Sequence, residues 1–296
     1  MICQICKEHC DLFIETKDYN RKVSNITFRY YYCNKCKLYF ISQIPHNLHD
    51  YYTDKYYKIP DSVKELEILA TFEKYKLDMI LRLVQKGRIL EIGPSFGAFV
   101  YLAKKAGFEV EAVEMDARCC DFLEKKIGIR AINNLNISNA LNELGHNYDV
   151  IALWHVIEHI VDPWIALKAI AAKIKPEGYL LLSAPNPRSL QFKILGKYWA
   201  HLDAPRHVSL IPTSLLETKL RPEGLIPIFS TTKDPGSIGW NHFGWQTSLV
   251  NFASGPITQA SLSLLGKFIS TAVSPLDQLE GFGSAYTVIF KKVETP

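Results

Sequence analysis

A stretch in the first half of the chain, residues 88–99, constrains the fold more than any other. It opens with a mainly apolar run, residues 89–92, and Gly93 and Gly97 follow. A brief run rich in β-branched apolar residues is typical of a buried strand. Small and apolar residues then recur at helical spacing as far as Gly107, where the helix should end. The order strand, glycine turn, helix predicts an α/β fold with a doubly wound sheet whose ligand binds at this turn.

The glycine pattern also narrows the type of ligand. A dinucleotide site would read Gly-x-Gly-x-x-Gly after the strand, and here the middle glycine is missing. Glu91 ends the strand, and a carboxylate there would repel a pyrophosphate but attract a cationic amino group. Glu114 ends the next predicted strand, close to the spacing of about 20 residues at which an acidic side chain meets ribose hydroxyls. A positively charged nucleoside fits both carboxylates, and a tight turn without any ligand is the alternative at this point.

The segment Glu91-x-Gly93-x-x-x-Gly97 resembles the first motif of class I S-adenosylmethionine (SAM) dependent methyltransferases. The resemblance implies a seven-stranded, mostly parallel, Rossmann-like sheet with SAM bound beyond the carboxyl ends of its strands. It also implies that the glycine turn passes under the methionine part of SAM. The residues that it places around the cofactor are Glu91, Gly93, Pro94, Phe96, Gly97, Phe99, Glu114, Met115, Asn134, Leu135, Trp154 and His155.

Four of the seven cysteines form two identical Cys-x-x-Cys pairs near the N-terminus. Two such pairs suit a structural Zn²⁺ site, because four thiolates complete its tetrahedral coordination. Metal binding would also stabilise a short segment that has little apolar core of its own. A redox role is the alternative, although no βαβ pattern surrounds either pair. The predicted zinc ligands are Cys3, Cys6, Cys33 and Cys36.

The composition excludes some classes of protein. The 296 residues are 48% apolar and 22% charged, which is ordinary for a globular protein of one large or two smaller domains. The net charge of +4 is too small to indicate a nucleic-acid partner. No apolar run reaches the ~18 residues that a membrane span needs, and the N-terminus lacks the features of a signal peptide. A cytoplasmic protein with reduced or metal-bound cysteines is therefore expected.

A group of polar residues follows the fourth predicted strand of the α/β core. His155, Glu158 and His159 match the inverted metalloprotease pattern His-x-x-Glu-His, but that pattern needs one continuous helix and His155 directly follows a strand. One alternative is a divalent-metal site, which a similar cluster in ubiquinone-pathway O-methyltransferases implies. The other is a hydrogen-bonded support for the loop. We predict that His155 contacts the cofactor or the acceptor.

Ionisable and aromatic residues are dense again between residues 185 and 207. A hydroxyl acceptor needs a general base with a pKa near the working pH, which favours histidine. The predicted catalytic residues are His155, His201, Asp203 and His207. The predicted substrate-binding residues are Asn186, His159 and Arg206, and His207 next to Arg206 could alternatively bind a phosphate group.

Several separate stretches closely resemble one branch of the class I methyltransferases. They are Trp154 with residues 158–159, residues 185–187 and residues 201–207. Members of that branch often carry an N-terminal zinc ribbon and a Tyr-rich segment, and many act in bacterial surface-polysaccharide or secondary-metabolite pathways. The resemblance implies a small-molecule, sugar-nucleotide or glycan acceptor and O-methylation with a histidine base. Two other functions stay open: an RNA methyltransferase that uses the ribbon for recognition, and a non-catalytic binding protein on the same scaffold.

These features predict five parts along the chain. A helical insertion before the last strand could be a substrate lid or the contact of a homodimer, and a satellite helical pair packed on the core is the alternative. The predicted parts are a zinc ribbon (1–45), a Tyr-rich linker with an amphipathic helix (46–85), the SAM-binding core (86–235), the helical insertion (236–283) and the final edge strand of the core (284–296).

Overall fold

The computed structural model describes residues 1–53, 56–253 and 255–294, which form two β-sheets with surrounding helices. Parts of three predicted segments lie outside the described residues, namely residues 54–55 of the linker, residue 254 of the helical insertion and residues 295–296 at the C-terminus. The strands are β1 (Asp11–Thr16), β2 (Phe28–Cys33), β3 (Leu38–Ile41), β4 (Arg88–Ile92), β5 (Glu109–Glu114), β6 (Arg130–Asn133), β7 (Tyr148–Trp154), β8 (Ile174–Pro185), β9 (Ser209–Leu210), β10 (Leu225–Thr231) and β11 (Ala285–Lys292). The α-helices are α1 (Val63–Ala70), α2 (Lys74–Leu81), α3 (Ala98–Lys105), α4 (Ala117–Phe122), α5 (Ile137–Asn142), α6 (Pro163–Lys173), α7 (Leu190–Leu195), α8 (Thr213–Leu220), α9 (Pro235–Val250) and α10 (Pro256–Asp277).

The larger sheet contains seven strands in the order β10-β11-β8-β7-β4-β5-β6. β4 pairs in parallel with β5 and β7, β5 with β6, and β7 with β8, whereas β11 runs antiparallel to both β8 and β10. Helices connect the parallel strands, as right-handed βαβ units require. This is the predicted doubly wound, mostly parallel, seven-stranded sheet, so the predicted fold class is confirmed.

The last strand does not form the edge of this sheet. β11 lies between β8 and β10, so the prediction of an edge strand in 284–296 is wrong, and β10 forms the edge instead. Burial explains the difference. The side chains of β11 are buried from Ala285 to Phe290, whereas Ile228 and Phe229 of β10 are 49% and 46% exposed. A strand that is buried on both faces belongs inside the sheet.

The central strands carry apolar residues to both faces of the sheet. All seven residues of β7 are buried, which is typical of an interior parallel strand. On β4, Ile89 packs into the apolar cluster on one face, and Leu90 and Ile92 pack into the cluster on the other. The carboxyl ends of β4, β5 and β7 meet at one edge of the sheet, and this edge is where parallel α/β sheets bind ligands.

The smaller sheet joins the N-terminal ribbon to the α/β part. Its strand order is β1-β2-β3-β9, and β9 comes from the second half of the chain. β9 pairs Leu210 with Tyr39 and Ser209 with Phe40. The ribbon and the α/β core therefore share a sheet, which the predicted division at residue 45 did not foresee.

The helices outside the core differ in detail from the predicted ones. The predicted amphipathic helix before β4 is two helices, because a 3₁₀ turn at Thr71–Glu73 separates α1 from α2. Thr71 Oγ1 donates to Ile68 O (2.6 Å), a bond that competes with continued helix. α9 and α10 pack against each other and form the predicted helical insertion. Within the described ranges, no helix is long and apolar enough to cross a membrane.

Candidate active site

Glu91 lies at the carboxyl end of β4, and its side chain is only 3% exposed. Its Oε2 atom has no hydrogen-bond partner among the described residues. Burial raises the pKa of Glu91 to about 8, and the nearby charge of Lys76 opposes this rise. A buried carboxylate oxygen without a partner is costly, so a cation bound beside it would be strongly favoured.

The turn after β4 requires glycine at two positions. Gly93 has a φ of +71°, and a Cβ atom there would lie 2.5 Å from Cγ2 of Val156. Gly97 has a φ of +84°, and a Cβ atom there would lie 2.4 Å from Cδ2 of Leu123. Position 97 therefore faces the helical segment after β5, and it requires glycine because this segment packs so closely against it. The other predicted cofactor residues of this region are buried Pro94, half-buried Phe96 and buried Phe99.

Glu114 ends β5 beside the glycine turn and is 2% exposed. Its Oε2 accepts a hydrogen bond from Ser95 N (2.9 Å), and its Oε1 accepts from Met115 N (2.7 Å) and Asp116 N (2.9 Å). Burial raises the pKa of Glu114, and these three N–H groups oppose the rise. Because a carboxylate has about four acceptor positions, one position remains for a ligand hydroxyl.

The loop after β6 lies next to Glu114. Asn134 N donates to Glu114 O (3.1 Å), and Leu135 follows with 72% of its side chain exposed. Asn133, which was not predicted as a site residue, donates through Nδ2 to Glu114 O (3.0 Å) and Met115 O (2.9 Å). Asn133 thus ties the ends of β5 and β6 together. An asparagine at the end of a short predicted strand is the feature that could have indicated it.

Trp154 and His155 stand at the carboxyl end of β7. The ring of His155 lies 4.6 Å from the ring of Trp240 in the insertion. Burial, together with the charge of Lys76, lowers the pKa of His155 to about 3. The Lys76 amine lies 5.0 Å from the centre of the Trp154 ring and pairs with Glu73. No sequence pattern indicated Lys76, because its position in the site depends on how α2 packs over strands that follow it in the chain.

Glu158 is the third buried carboxylate of the site. It is 1% exposed, and neither carboxylate oxygen has a hydrogen-bond partner among the described residues. Its Oε1 lies 3.5 Å from Nδ1 of His155 and 4.0 Å from Nε2 of His207. The nearest side-chain nitrogens of His159 and His207 and an oxygen of Glu158 all lie within 4.8 Å of one another. Burial raises the pKa of Glu158, lowers that of His159 to about 4 and lowers that of His207.

His207 is oriented by a single strong hydrogen bond. Its Nδ1 lies 2.7 Å from His201 O, and because a carbonyl oxygen only accepts, Nδ1 carries the proton. Nε2 is therefore the unprotonated nitrogen of the neutral ring, and it faces Glu158. The ring lies 4.6 Å from that of His159, whose Nδ1 is 2.9 Å from Tyr52 Oη. Tyr52 thus connects the Tyr-rich linker to His159, whose ring packs against that of the predicted catalytic residue His207.

Arg206 does not have the predicted substrate-binding role. Its side chain is 0% exposed, and its five N–H bonds donate to Asp203, to Asp18 and to Tyr51 O at distances of 2.7 to 3.4 Å. No donor is left for a phosphate group. Asp203 does not have the predicted catalytic role either, because its carboxylate is bonded to Arg206. Burial alone would raise the pKa of Asp203, but the hydrogen bonds and charge of Arg206 hold this pKa well below its usual range. Asp203 is therefore an ion-pair partner.

Asn186 and His201, predicted for the substrate and for catalysis, join the insertion to the core instead. Asn186 Nδ2 donates to Gly281 O (2.9 Å) and Gly283 O (2.8 Å), which uses both amide hydrogens. His201 Nε2 donates to Trp240 O (3.0 Å). Both are buried, and both bind backbone carbonyls that lie far along the chain. Their polar side chains therefore hold the insertion against the core. The spacing of residues along the sequence cannot distinguish this structural role from catalysis.

The four predicted zinc ligands come together at one end of the ribbon, and they are Cys3, Cys6, Cys33 and Cys36. Their sulfur atoms all lie within 4.8 Å of one another, with pairs at 3.4 and 3.9 Å. Zinc–sulfur bonds of ~2.3 Å in a tetrahedron place the sulfurs about 3.8 Å apart. Each Cys-x-x-Cys pair is followed by a residue with positive φ, Lys7 (+62°) or Lys37 (+56°). The donor set and its spacing fit a zinc ion.

Comparisons with known proteins agree with this fold. Residues 68–225 match a family model described as a methyltransferase domain. The chain is 26% identical over 187 residues to the ubiquinone biosynthesis O-methyltransferase of Bordetella avium, which covers 56% of this chain and 75% of that protein. It is 28% identical over 157 residues to the protein of the same name from Bordetella pertussis, which covers 47% of this chain and 62% of that protein.

A solved structure shows the same fold. The SAM-dependent methyltransferase from Archaeoglobus fulgidus matches with a TM-score of 0.52 at 19% identity, which covers 75% of this chain and 94% of that one. The family model spans more than half of the chain, and its range contains the glycine turn, both strand-end carboxylates and His207. The chain therefore belongs to the family of methyltransferase domains, and it is a SAM-dependent methyltransferase.

Proposed function

We propose that this methyltransferase acts on a hydroxyl group of a small molecule, a sugar nucleotide or a glycan, with His207 as the general base. The observation that carries the proposal is the orientation of His207. Its Nδ1–H is held by His201 O, so its unprotonated Nε2 faces the buried Glu158. The O-methyltransferase names of the two relatives support a hydroxyl acceptor.

SAM supplies an activated methyl group when it is bound, so the chain has to bind and orient it. Glu91 offers an unpartnered carboxylate oxygen to the ammonium group of the methionine part. Lys76 offers an amine to the methionine carboxylate, since it lies over Trp154 at the same strand end. Glu114 offers its remaining acceptor position to a ribose hydroxyl, and exposed Leu135 is available to the adenine ring.

His207 moves one proton during methyl transfer. Its Nε2 takes the proton of the acceptor hydroxyl, and the ring becomes positively charged. Glu158 is placed to stabilise that charge, because both of its oxygens lack other partners among the described residues and its side chain is buried away from water. Tyr52 holds the ring of His159 through the Nδ1–Oη contact, and that ring packs against the ring of His207.

We further propose that Cys3, Cys6, Cys33 and Cys36 hold a structural zinc ion as thiolates. Four protein ligands leave no open coordination position, so this ion would stabilise the ribbon and take no part in chemistry. The backbone supports the thiolate form of Cys33, since Cys36 N donates to its sulfur (3.4 Å).

Titration with SAM tests the cofactor site. Gly93→Arg fills the turn beside Val156 and should abolish binding that isothermal titration calorimetry detects. Gly107→Arg is the matched control: its φ is also positive (+92°), and no atom lies within 4 Å of an added Cβ. The control should bind SAM as the wild type does. Equal binding by the two variants would reject the site.

Transfer of a labelled methyl group to a panel of nucleotide sugars and phenols tests the acceptor and the base. His207→Ala should lower kcat about 10²- to 10⁴-fold without changing SAM affinity. His146→Ala, at an exposed histidine whose backbone carbonyl alone contacts Arg88, should behave as the wild type. Undiminished transfer by His207→Ala would reject the base. Transfer confined to RNA, with binding that weakens steeply in salt, would favour the RNA alternative.

A further inference from the structure

The N-terminal ribbon is attached to the loop that carries His207. β9 follows that loop and pairs with β3, and Ile41 N donates to Val208 O (3.0 Å). Tyr30 of β2 is fully buried and donates its hydroxyl to His207 O (2.6 Å). The backbone at the candidate base and directly after it is therefore bonded to the ribbon.

A buried ion pair makes a second attachment. Arg206, next to His207, donates two hydrogen bonds to Asp18 of the ribbon, and both side chains are 0% exposed. Asp18 also accepts from Arg21 N (3.1 Å) and Val23 N (2.9 Å), so its carboxylate is held from both sides. Because every N–H bond of Arg206 is used, the guanidinium is locked in this orientation.

We propose that the ribbon is the support that positions His207, with Asp18 and Tyr30 as positioning residues. This proposal rests on the proposed role of His207 as the base. A base must stay within hydrogen-bond reach of the acceptor hydroxyl, and a displacement of about 1 Å can lower a rate about 10²-fold. The ribbon thus contributes to methyl transfer without touching the acceptor.

Two variants of the full chain test the proposal, with one control. Tyr30→Phe removes one hydroxyl with little change of shape, and Asp18→Asn removes the charge that faces Arg206. Glu15→Gln is the matched control, because it also removes a ribbon carboxylate from an arginine pair, but its partner Arg29 is exposed. The measurements are kcat, the dissociation constant of SAM, and hydrogen–deuterium exchange of peptides that cover residues 201–210.

We expect kcat to fall about tenfold in Tyr30→Phe and about 100-fold in Asp18→Asn, with faster exchange in residues 201–210 and SAM affinity within about twofold of wild type. Glu15→Gln should match the wild type. Unchanged exchange and kcat in Tyr30→Phe would overturn the proposal, even if Asp18→Asn fails to fold. Full activity of His207→Ala would instead reject the base, and the exchange data would still decide whether the ribbon supports the loop.

A different observation concerns the outer face of the insertion. α10 packs against α9 on one side and exposes apolar side chains on the other. The exposed fractions are 85% for Ile257, 68% for Leu264, 71% for Phe268 and 52% for Leu276. The spacings between these residues along the chain are sums of three and four residues, so the residues lie along one face of the helix.

We infer that a second copy of this chain covers the apolar face of α10, with the two helices paired across a two-fold axis. A standard interface buries ~800 Å² per partner, and the exposed apolar side chains of α10 can form the apolar centre of such a patch. Lys267 is the one charged residue in the sequence 256–276, so a helix meets its own copy with little repulsion. A helix that lies on a membrane surface would carry several Lys or Arg residues.

Sedimentation equilibrium at micromolar concentration tests this interface. The wild type should be a dimer, and Phe268→Glu should be a monomer. Phe72→Glu is the matched control, since Phe72 is equally exposed (74%) but lies between α1 and α2, and it should remain a dimer. A monomeric wild type, or a dimeric Phe268→Glu, would overturn the inference. Co-sedimentation of a monomeric wild type with phosphatidylglycerol vesicles would assign this face to a membrane.

Discussion

Two buried carboxylates, Glu91 and Glu158, set the electrostatics of the site at the scale of single residues. Each has at least one oxygen with no hydrogen-bond partner among the described residues. Such groups destabilise a fold, and proteins keep them where a ligand or a proton compensates the buried charge. In the proposed mechanism Glu91 binds the ammonium of SAM, and Glu158, 4.0 Å from Nε2 of His207, faces the ring that becomes charged.

Glu91→Gln should weaken SAM binding about 10- to 100-fold, because a hydrogen bond to a charged group contributes ~1.5–3 kcal/mol. Isothermal titration calorimetry measures this loss. The glutamine side chain would still fill the same space, so the fold should be kept, and a variant that binds SAM as tightly as the wild type would contradict the role of Glu91.

The same carboxylate should give the unfolding free energy a distinct dependence on pH. The pKa of Glu91 is about 8 in the folded chain, above its ordinary value of 4.5. The folded chain therefore holds an extra proton between these values, and stability should fall as pH rises from about 5 to 8. Urea unfolding at both pH values should show a smaller fall in Glu91→Gln. Equal falls in the two proteins would contradict the raised pKa.

The acid limb of the pH dependence of kcat should lie below pH 6.5. Burial lowers the pKa of His207 below its ordinary value of 6.5, because a charged ring is disfavoured away from water. The base is active when neutral, so the rate should fall only as pH drops through that lowered pKa. Rates at saturating SAM between pH 4.5 and 8, roughly the range in which histidine titrates, measure the limb. A limb above pH 7 would argue for another base.

At the scale of elements, the glycine turn contacts both Glu114 and the helical segment after β5. Ser95 N donates to Glu114 across this contact, and Gly97 allows Leu123 and Ile127 to approach α3. The close approach therefore links the methionine end of the site to the ribose end.

Gly97→Ala should lower the unfolding free energy by about 3 kcal/mol, since strain at positive φ and overpacking against Leu123 add together. Gly107→Ala has the same sign of φ but no atom within 4 Å of the added Cβ, so about 1 kcal/mol is expected. Urea unfolding of the two variants separates strain from packing. Equal losses would show that packing at Gly97 contributes nothing.

At the scale of the whole molecule, the ribbon, the α/β core and the insertion share apolar clusters. Cys33 and Leu38 of the ribbon belong to one cluster with Ile211 of the core, and Tyr30 belongs to another with Trp245 of the insertion. Parts that share a core unfold together, so one cooperative transition is expected.

Loss of the zinc site should therefore destabilise the whole molecule. Cys33→Ser should reduce bound zinc from one ion per chain to none and lower the midpoint of a single calorimetric transition. Cys10→Ser is the control, because Cys10 is buried nearby but its sulfur contacts Glu8 O (3.7 Å) and is not one of the four clustered sulfurs. Two separate transitions in the wild type would contradict the shared core.

The residues of the segment 201–207 show where prediction from sequence ends. His201, Asp203, Arg206 and His207 look equally suited to chemistry in the sequence. Their roles separate because Arg206 meets Asp18, 188 positions away, and because His207 bonds a nearby carbonyl that leaves Nε2 free. Residues that lie so far apart in the chain form no sequence pattern from which their contact could be predicted.

The sequence by itself determined the type of sheet, the place of the glycine turn and the set of four thiols, because each follows from spacing or periodicity along a continuous stretch. Only the tertiary structure decided that β10 forms the edge, that Arg206 is an ion-pair partner, that Lys76 lies over Trp154 and that Nε2 of His207 is the unprotonated nitrogen. These depend on burial and on hydrogen bonds between distant residues, which determine whether a donor is already used and whether a charge is tolerated.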